Sequence, residues 1–155
     1  MIRLGIIGGG MAVQKLHWPV LQQLRQEIAV VALARRNYEK AKAFAAKTNI
    51  SRVYTNYNEL LQDSDLDAVL TAVPIELNGT VLRAALDSGK HVMAEKPIAA
   101  TLDEARLIVQ HADSRELIVL IGENFRYRGD LLGSQRPDWI GSHRRHFRLS
   151  TKSEL

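Results

Sequence analysis

Three glycines follow a short apolar run near the amino terminus and stand just before a stretch with helical spacing. Gly8, Gly9 and Gly10 come directly after residues 3–7, which we expect to form a buried strand. Gly8 would allow a tight turn, and Gly10 would leave the backbone bare where phosphate oxygens approach a helix N-terminus. The pattern predicts a pyrophosphate site; a glycine-rich turn without a ligand is the alternative.

The dinucleotide fingerprint departs from its usual form at its third position, where Val13 stands. Glycine or alanine there normally allows close packing of helix on strand, so we expect Val13 to push the helix slightly outward. Apolar residues then recur at helical spacing over 13–24. Because Pro19 lies inside that stretch, we expect the helix to begin there or to bend near it. His17 would either face the cofactor cleft or be an ordinary half-exposed helix histidine.

Two arginines end the second apolar run, at the place where a dinucleotide fold contacts the adenosine ribose. An acidic residue there would bond both ribose hydroxyls and favour NAD, but the chain has Arg35 and Arg36 and no acid before Glu39. Guanidinium groups match phosphate oxygens in charge and in donor geometry. The sequence predicts that NADP is preferred and NAD still accepted, with a solvated basic loop as the alternative.

The tripeptide Glu95-Lys96-Pro97 follows the fifth predicted strand, at the sheet edge where ligands of open α/β sheets bind. Pro97 disfavours helical backbone at Lys96, so the lysine side chain can project into a cleft. Its amine could bond a substrate hydroxyl and help move the proton while hydride leaves the carbon. We therefore predict Lys96 as the catalytic residue; an ordinary loop is the alternative.

Short apolar runs alternate with amphipathic ones along the first 122 residues. Asn37 is a predicted helix N-cap, and Thr101 opens a predicted capping box with Glu104. The alternation predicts an α/β fold: a doubly wound parallel sheet (Rossmann) of about six strands with helices on both faces. The predicted strands are 3–7, 28–34, 53–55, 68–73, 91–94 and 117–121, and the predicted helices are 13–24, 38–47, 57–62, 79–87 and 102–112.

Composition excludes several classes of protein. The 155 residues are 46% hydrophobic and include no cysteine, which excludes a disordered chain, a disulfide scaffold and thiolate metal sites. The longest apolar run, 28–34, is far too short to span a membrane. The net charge of +4 resides in 126–155, so no basic face for nucleic acid is expected. His143 and His146 would point to opposite faces of a strand, so we expect no metal site.

Five segments of the chain occur in the order typical of one enzyme family. Over about residues 1 to 128 the chain resembles the cofactor domain of the Gfo/Idh/MocA oxidoreductases, the glucose–fructose oxidoreductase and inositol dehydrogenase family. The matching segments are GIIGGG at 5–10, Ala68-Val69 ahead of Pro74, AALDSGKHV at 84–92, EKPIA at 95–99 and ENFRY at 123–127. Many members have histidine where this chain has Asn78.

The resemblance implies NAD(P)-dependent oxidation or reduction of a sugar, a polyol or a related carbonyl compound, with Lys96 near the nicotinamide and substrate. It implies a dinucleotide-binding domain over 1–122 and an extension over 123–155 that resembles the start of a second domain. In the family that domain carries the substrate pocket, a catalytic histidine or equivalent, and an oligomer interface. The implied cofactor contacts are Gly8, Gly10, Met11, Ala12, Arg35, Arg36, Ala72, Pro74, Asn78, Glu95 and Lys96.

Two interpretations of the chain's present activity stay open. In the first, it is the nucleotide-binding half of an oxidoreductase, incomplete by itself, so we expect negligible turnover from the 155 residues alone. In the second, it is a non-enzymatic module or subunit that docks a partner through apolar tail residues such as Trp139 and Phe147. We expect a cytoplasmic protein whose partners are a nicotinamide dinucleotide and a sugar-like substrate. Association with further copies of the same chain is compatible with the sequence, and binding to nucleic acid or to a membrane is not expected.

Overall fold

The computed structural model of the protein describes residues 1–123. Predictions that fall on the rest of the chain lie outside the described residues. They concern the extension over 123–155 beyond its first residue, the histidines at 143 and 146, and the apolar tail residues.

Residues 1–123 form a six-stranded parallel sheet with helices between the strands. The strand order is β3-β2-β1-β4-β5-β6, and every neighbouring pair is parallel. This confirms the predicted Rossmann α/β fold. The strands are β1 (Ile2–Gly8), β2 (Ile28–Ala34), β3 (Arg52–Tyr54), β4 (Ala68–Ala72), β5 (His91–Ala94) and β6 (Val119–Ile121). Because the order reverses between β1 and β4, a crevice opens beyond their carboxyl ends.

In the described part of the chain, one π-helical turn and five α-helices connect the strands. Asn37 caps α2 by accepting a bond from the Lys40 N–H at 2.9 Å, and Thr101 caps α5 by accepting one from the Glu104 N–H. Both predicted caps are therefore confirmed. The elements are a π-helical turn (Val13–His17) followed by α1 (Trp18–Gln23), α2 (Tyr38–Thr48), α3 (Tyr57–Leu61), α4 (Ile75–Asp87) and α5 (Leu102–Ser114). No helix within residues 1–123 combines the length and apolarity needed to cross a bilayer.

Two groups of buried apolar side chains hold the helices against the sheet. One group joins α3, α4 and α5 to the sheet through residues such as Leu60, Leu82 and Ile108. The other includes Val13 and Phe44, and the Trp18 ring packs edge-on against Phe44 with the ring centroids 5.7 Å apart. Helices that pack on both faces of the sheet explain why the central strands are nearly continuous apolar runs.

One predicted helix boundary is wrong. α4 begins at Ile75, directly after Pro74, and not at Gly79 as the sequence suggested. Glycine is a poor helix former and appeared to mark a start, but Gly79 is buried inside the helix. A Cβ at this position would meet the carboxylate of Glu104 on α5, which is the far end of a flexible side chain.

Candidate functional site

A cleft of about 380 Å³ lies beyond the carboxyl ends of β1, β2 and β4. Its position is the point where the strand order reverses, which is the usual ligand site of an open α/β sheet. The cleft brings together six of the predicted site residues: Gly8, Gly10, Arg35, Arg36, Ala72 and Pro74. It is also lined by residues that sequence reasoning missed, among them Asn37, Lys40, Thr55, Tyr57 and Leu77.

Two glycines of the loop, Gly8 and Gly10, lack a side chain for different reasons. Gly8 has φ +125°, and a Cβ on it would collide with the carbonyl oxygen of Ala72 on the neighbouring strand. Gly10 is different, because a Cβ built there meets no heavy atom within 4 Å. Open space beside bare backbone, ahead of a helix whose first N–H groups lack helical acceptors, fits a phosphate group. The residues present therefore fit the pyrophosphate of a dinucleotide.

The helix after the glycine loop begins with a widened turn. Val13 is fully buried, and the Trp18 N–H bonds the Val13 carbonyl, which is the i to i+5 spacing of a π-helix. Pro19 lies in the first turn of α1, where its missing N–H costs no helical bond, so the α-helix begins next to Pro19, which is one of the two expected outcomes. The Gln14 side chain donates to the Gly9 carbonyl at 2.9 Å, which fastens the helix to the loop.

Three cationic side chains line the β2 end of the cleft. Arg36 and Lys40 are exposed, whereas Arg35 is half-buried and lies against Gly9, its Cδ 3.4 Å from where a Cβ of that glycine would be. The Arg35 N–H also bonds the Tyr54 carbonyl at 2.9 Å, which fixes the backbone between β2 and β3. No carboxylate lines this part of the described cleft, so the end is positively charged.

His17 and Glu95 form a short side-chain hydrogen bond at the β5 side of the sheet edge. The His17 Nε2 and Glu95 Oε1 atoms are 2.7 Å apart, and the side chains are 13% and 26% exposed. The imidazole has the intermediate exposure expected of a helix histidine, and it also bonds a carboxylate from another element. The two residues are 78 positions apart in the sequence, so no local pattern could have indicated the contact.

Asn78 holds the loop that carries Lys96. Its side chain is 3% exposed, and its Nδ2 donates toward the carbonyl oxygens of three residues in that loop: Glu95 at 3.0 Å, Pro97 at 2.7 Å and Ile98 at 3.3 Å. The Thr71 hydroxyl donates to its Oδ1 at 3.3 Å. Every polar atom of the Asn78 amide is thus engaged within the protein. The predicted cofactor contact of Asn78 stays a prediction, and its observed bonds position the loop.

The remaining predicted residues lie around the same edge. Lys96 is exposed, precedes Pro97 through a cis peptide bond, and makes no ion pair within residues 1–123. Met11 is 75% exposed and Ala12 half-buried, immediately after the glycine loop. Their contacts with a cofactor, like the catalytic role of Lys96, stay predictions.

Comparison with known proteins identifies the family to which this architecture belongs. Residues 2–123 match the Gfo/Idh/MocA profile, described as the oxidoreductase family with an NAD-binding Rossmann fold. The chain is 32% identical over 163 residues to an uncharacterised oxidoreductase of Schizosaccharomyces pombe, covering 98% of this chain and 44% of the relative. It is 33% identical over 139 residues to D-xylose 1-dehydrogenase (NADP(+)) 2 of Haloferax volcanii, covering 89% and 41%.

A solved structure is similar to the same part of the chain. The crystal structure of a 3-ketoreductase from Actinomadura kijaniata in complex with NADP and TDP-benzene superposes with a TM-score of 0.76 at 31% identity. The match covers 82% of this chain and 38% of that one. The chain thus spans less than half the length of these relatives, and the part it shares with them is their cofactor domain. It belongs to the Gfo/Idh/MocA oxidoreductase family and contains that family's NAD(P)-binding Rossmann domain.

Proposed function

We propose that this domain binds NADP(H) in preference to NAD(H) and serves hydride transfer between the nicotinamide and a hydroxyl or carbonyl group of a sugar-like or polyol-like substrate. The observation that carries the cofactor preference is the positively charged end of the cleft formed by Arg35, Arg36 and Lys40. NADP differs from NAD by one phosphate on the adenosine ribose, and cationic side chains without a competing carboxylate favour that phosphate.

The proposed orientation follows from the two ends of the cleft. The open space at Gly10 and the N–H groups of the following helix would take the pyrophosphate. Arg36 and Lys40, which are exposed at the β2 end, would then contact the ribose phosphate. Two relatives support NADP as the cofactor, since the H. volcanii dehydrogenase is named for NADP(+) and the A. kijaniata reductase structure contains NADP.

Lys96 would act at the opposite end of the cofactor. When bound, the nicotinamide supplies the hydride-transfer chemistry, which no protein side chain can provide. Lys96 projects from the carboxyl edge of the sheet with an exposed ammonium group. It would donate a hydrogen bond to the substrate oxygen and hold or move the proton of that oxygen. The substrate class rests on the relative named as a D-xylose dehydrogenase, and enclosure of the substrate would fall to parts of the protein outside the described residues.

Fluorescence titration of the 155-residue chain with NADPH and with NADH tests the cofactor preference. We expect NADPH to bind about tenfold more tightly, the typical worth of one added charge-assisted hydrogen bond. Arg36→Gln should remove most of that advantage while changing the NADH affinity by less than about twofold.

Arg25→Gln is the matched control for this titration. Arg25 is an exposed arginine in the turn before β2, at the end of that strand opposite to Arg36. It should leave both affinities unchanged. Equal affinity of the wild-type chain for NADPH and NADH, or equal loss from the Arg25 and Arg36 variants, would contradict the proposed preference.

A further inference from the structure

We propose that His17 is a positioning residue for the nicotinamide end of the cleft. By pairing with Glu95, it joins the helix that follows the glycine loop to the loop that carries Lys96. The proposal rests on the proposed function, because it assigns the pair to one end of the dinucleotide site. It adds a residue that neither the fingerprint nor the Glu-Lys-Pro tripeptide contains.

The pair connects two segments that are each fixed from another side. His17 is the last residue of the π turn, whose first residue, Val13, is fully buried in the core. The Glu95 backbone is held by its N–H bond to the Thr71 carbonyl at 3.0 Å and by the Asn78 amide on its carbonyl oxygen at 3.0 Å. The 2.7 Å contact between the side chains therefore joins two elements that are each held elsewhere, and does not fasten a loose one.

The location of the pair assigns it to one half of the dinucleotide. Arg35 and Arg36 stand at the end of β2, and the cleft runs from there across β1 to Pro74 after β4. His17 and Glu95 are not among the residues that line this cleft, and Glu95 follows β5, one strand further along. A dinucleotide crosses the sheet edge with its two mononucleotide halves on opposite sides of the switch point. Its nicotinamide half would thus lie toward the pair.

The charge arrangement gives the pair a second consequence for Lys96. Glu95 is the immediate neighbour of Lys96 and could otherwise draw its ammonium group into an ion pair. In the structure the carboxylate oxygen of Glu95 faces His17 instead, and Lys96 stays exposed without an ion pair within residues 1–123. His17 thus keeps Glu95 engaged and leaves the Lys96 side chain available to the substrate.

Two ligands distinguish a positioning role from a merely structural one. NADPH occupies the whole site, whereas 2′,5′-ADP carries the phosphorylated adenosine half alone. His17→Ala should weaken NADPH binding about fivefold or more, the low end of measured coupling between sites. It should change the affinity for 2′,5′-ADP by less than about twofold, because the adenosine half does not reach the pair and distant sites rarely interact by more than this. Thermal melting of each variant checks that the domain is folded.

Conservative and control variants complete the experiment. His17→Gln keeps a nitrogen donor and should recover most of the NADPH affinity, and Glu95→Gln combined with His17→Ala should lose no more than His17→Ala alone. His111→Ala is the matched control. His111 forms a similar pair with Asp87 at 2.8 Å, but it links the C-terminal parts of α5 and α4, away from the cleft. It should leave both affinities unchanged.

The outcomes separate this proposal from the proposed function. If the wild-type chain binds both ligands and His17→Ala weakens neither or weakens both equally, His17 is not a positioning residue for the nicotinamide end. If the wild-type chain binds neither ligand, the proposed function fails and this inference fails with it. Should His17→Ala not fold, the same comparison of the two ligands is made with Glu95→Ala, which removes the acceptor oxygen, and equal losses there overturn the proposal.

Discussion

The side-chain nitrogen of Asn78 lies 2.7 Å from the carbonyl oxygen of Pro97, and this contact joins α4 to the loop that presents Lys96. Asn78 is 3% exposed, and its nitrogen also points to the carbonyls of Glu95 and Ile98. Burial makes these bonds difficult to replace with water. The conformation of the Lys96 loop is consequently determined by a helix residue almost twenty positions earlier in the chain.

Removing the Asn78 amide should destabilise the domain. Asn78→Ala leaves three partly buried carbonyl groups without their donor, which costs about 1–3 kcal/mol in the free energy of unfolding. Urea denaturation followed by circular dichroism measures this difference. Asn58→Ala, an exposed substitution in α3, is the control and should change the free energy of unfolding by less than about 0.5 kcal/mol. Equal stability of the Asn78 variant and the wild-type chain would show that the loop is held by other contacts.

Alanine substitutions at Gly8 and Gly10 should affect different properties, the first the stability of the domain and the second its affinity for NADPH. Gly8→Ala places a Cβ against the Ala72 carbonyl at φ +125°, so we expect a loss of about 3 kcal/mol or more in stability. Gly10→Ala meets no atom within 4 Å and should leave the melting temperature nearly unchanged. Its methyl group would enter the space assigned to the pyrophosphate, so NADPH affinity should fall about tenfold or more.

Thermal melting and NADPH titration of the two glycine variants check this contrast. A Gly10→Ala variant that binds NADPH like the wild-type chain would show that the phosphates lie elsewhere. A Gly8→Ala variant with wild-type stability would contradict the close approach of β1 and β4 at this point.

The contact between Arg3 and Asp67 predicts a pH dependence of stability. The Arg3 guanidinium bonds the Asp67 carboxylate at 2.9 Å, and the Arg3 backbone N–H bonds it at 2.7 Å. These bonds, the side-chain one first, lower the pKa of Asp67 to about 2. A carboxyl whose pKa is depressed on folding contributes stability above its unfolded pKa and loses it as the pH falls through the folded value. The contribution should therefore disappear between about pH 4 and pH 2.

Urea denaturation of the wild-type chain and Asp67→Asn at several pH values measures this contribution. Since Asp67 is partly exposed, solvent screening limits it to less than about 1 kcal/mol. The difference between the two proteins should be largest near pH 6 and shrink as the pH falls toward 3. Arg3→Gln should flatten the same dependence. A difference that is constant with pH would mean that Asp67 has an ordinary pKa.

The sequence determined the helices and strands and the residues that line the cleft after β1, β2 and β4, because these depend on local patterns. Continuous apolar runs predicted β2 and β5 to the residue, and Asn37 and Thr101 marked the helix starts, since caps and periodicity act within a few positions. Parallel strands place their carboxyl ends at one edge of a sheet. That rule allowed residues after β1, β2 and β4 to be assigned to one cleft without any coordinates.

Only the tertiary structure decided which side chains from distant segments meet. Nothing near His17 in the sequence indicates Glu95, and nothing near Gly79 indicates that Glu104 lies over it. Such contacts depend on how each helix is rotated and how far it stands from the sheet, and the packed core sets both. Local sequence patterns do not encode that packing. The bonds that position the Lys96 loop therefore could not be predicted from the sequence and are known only from the tertiary structure.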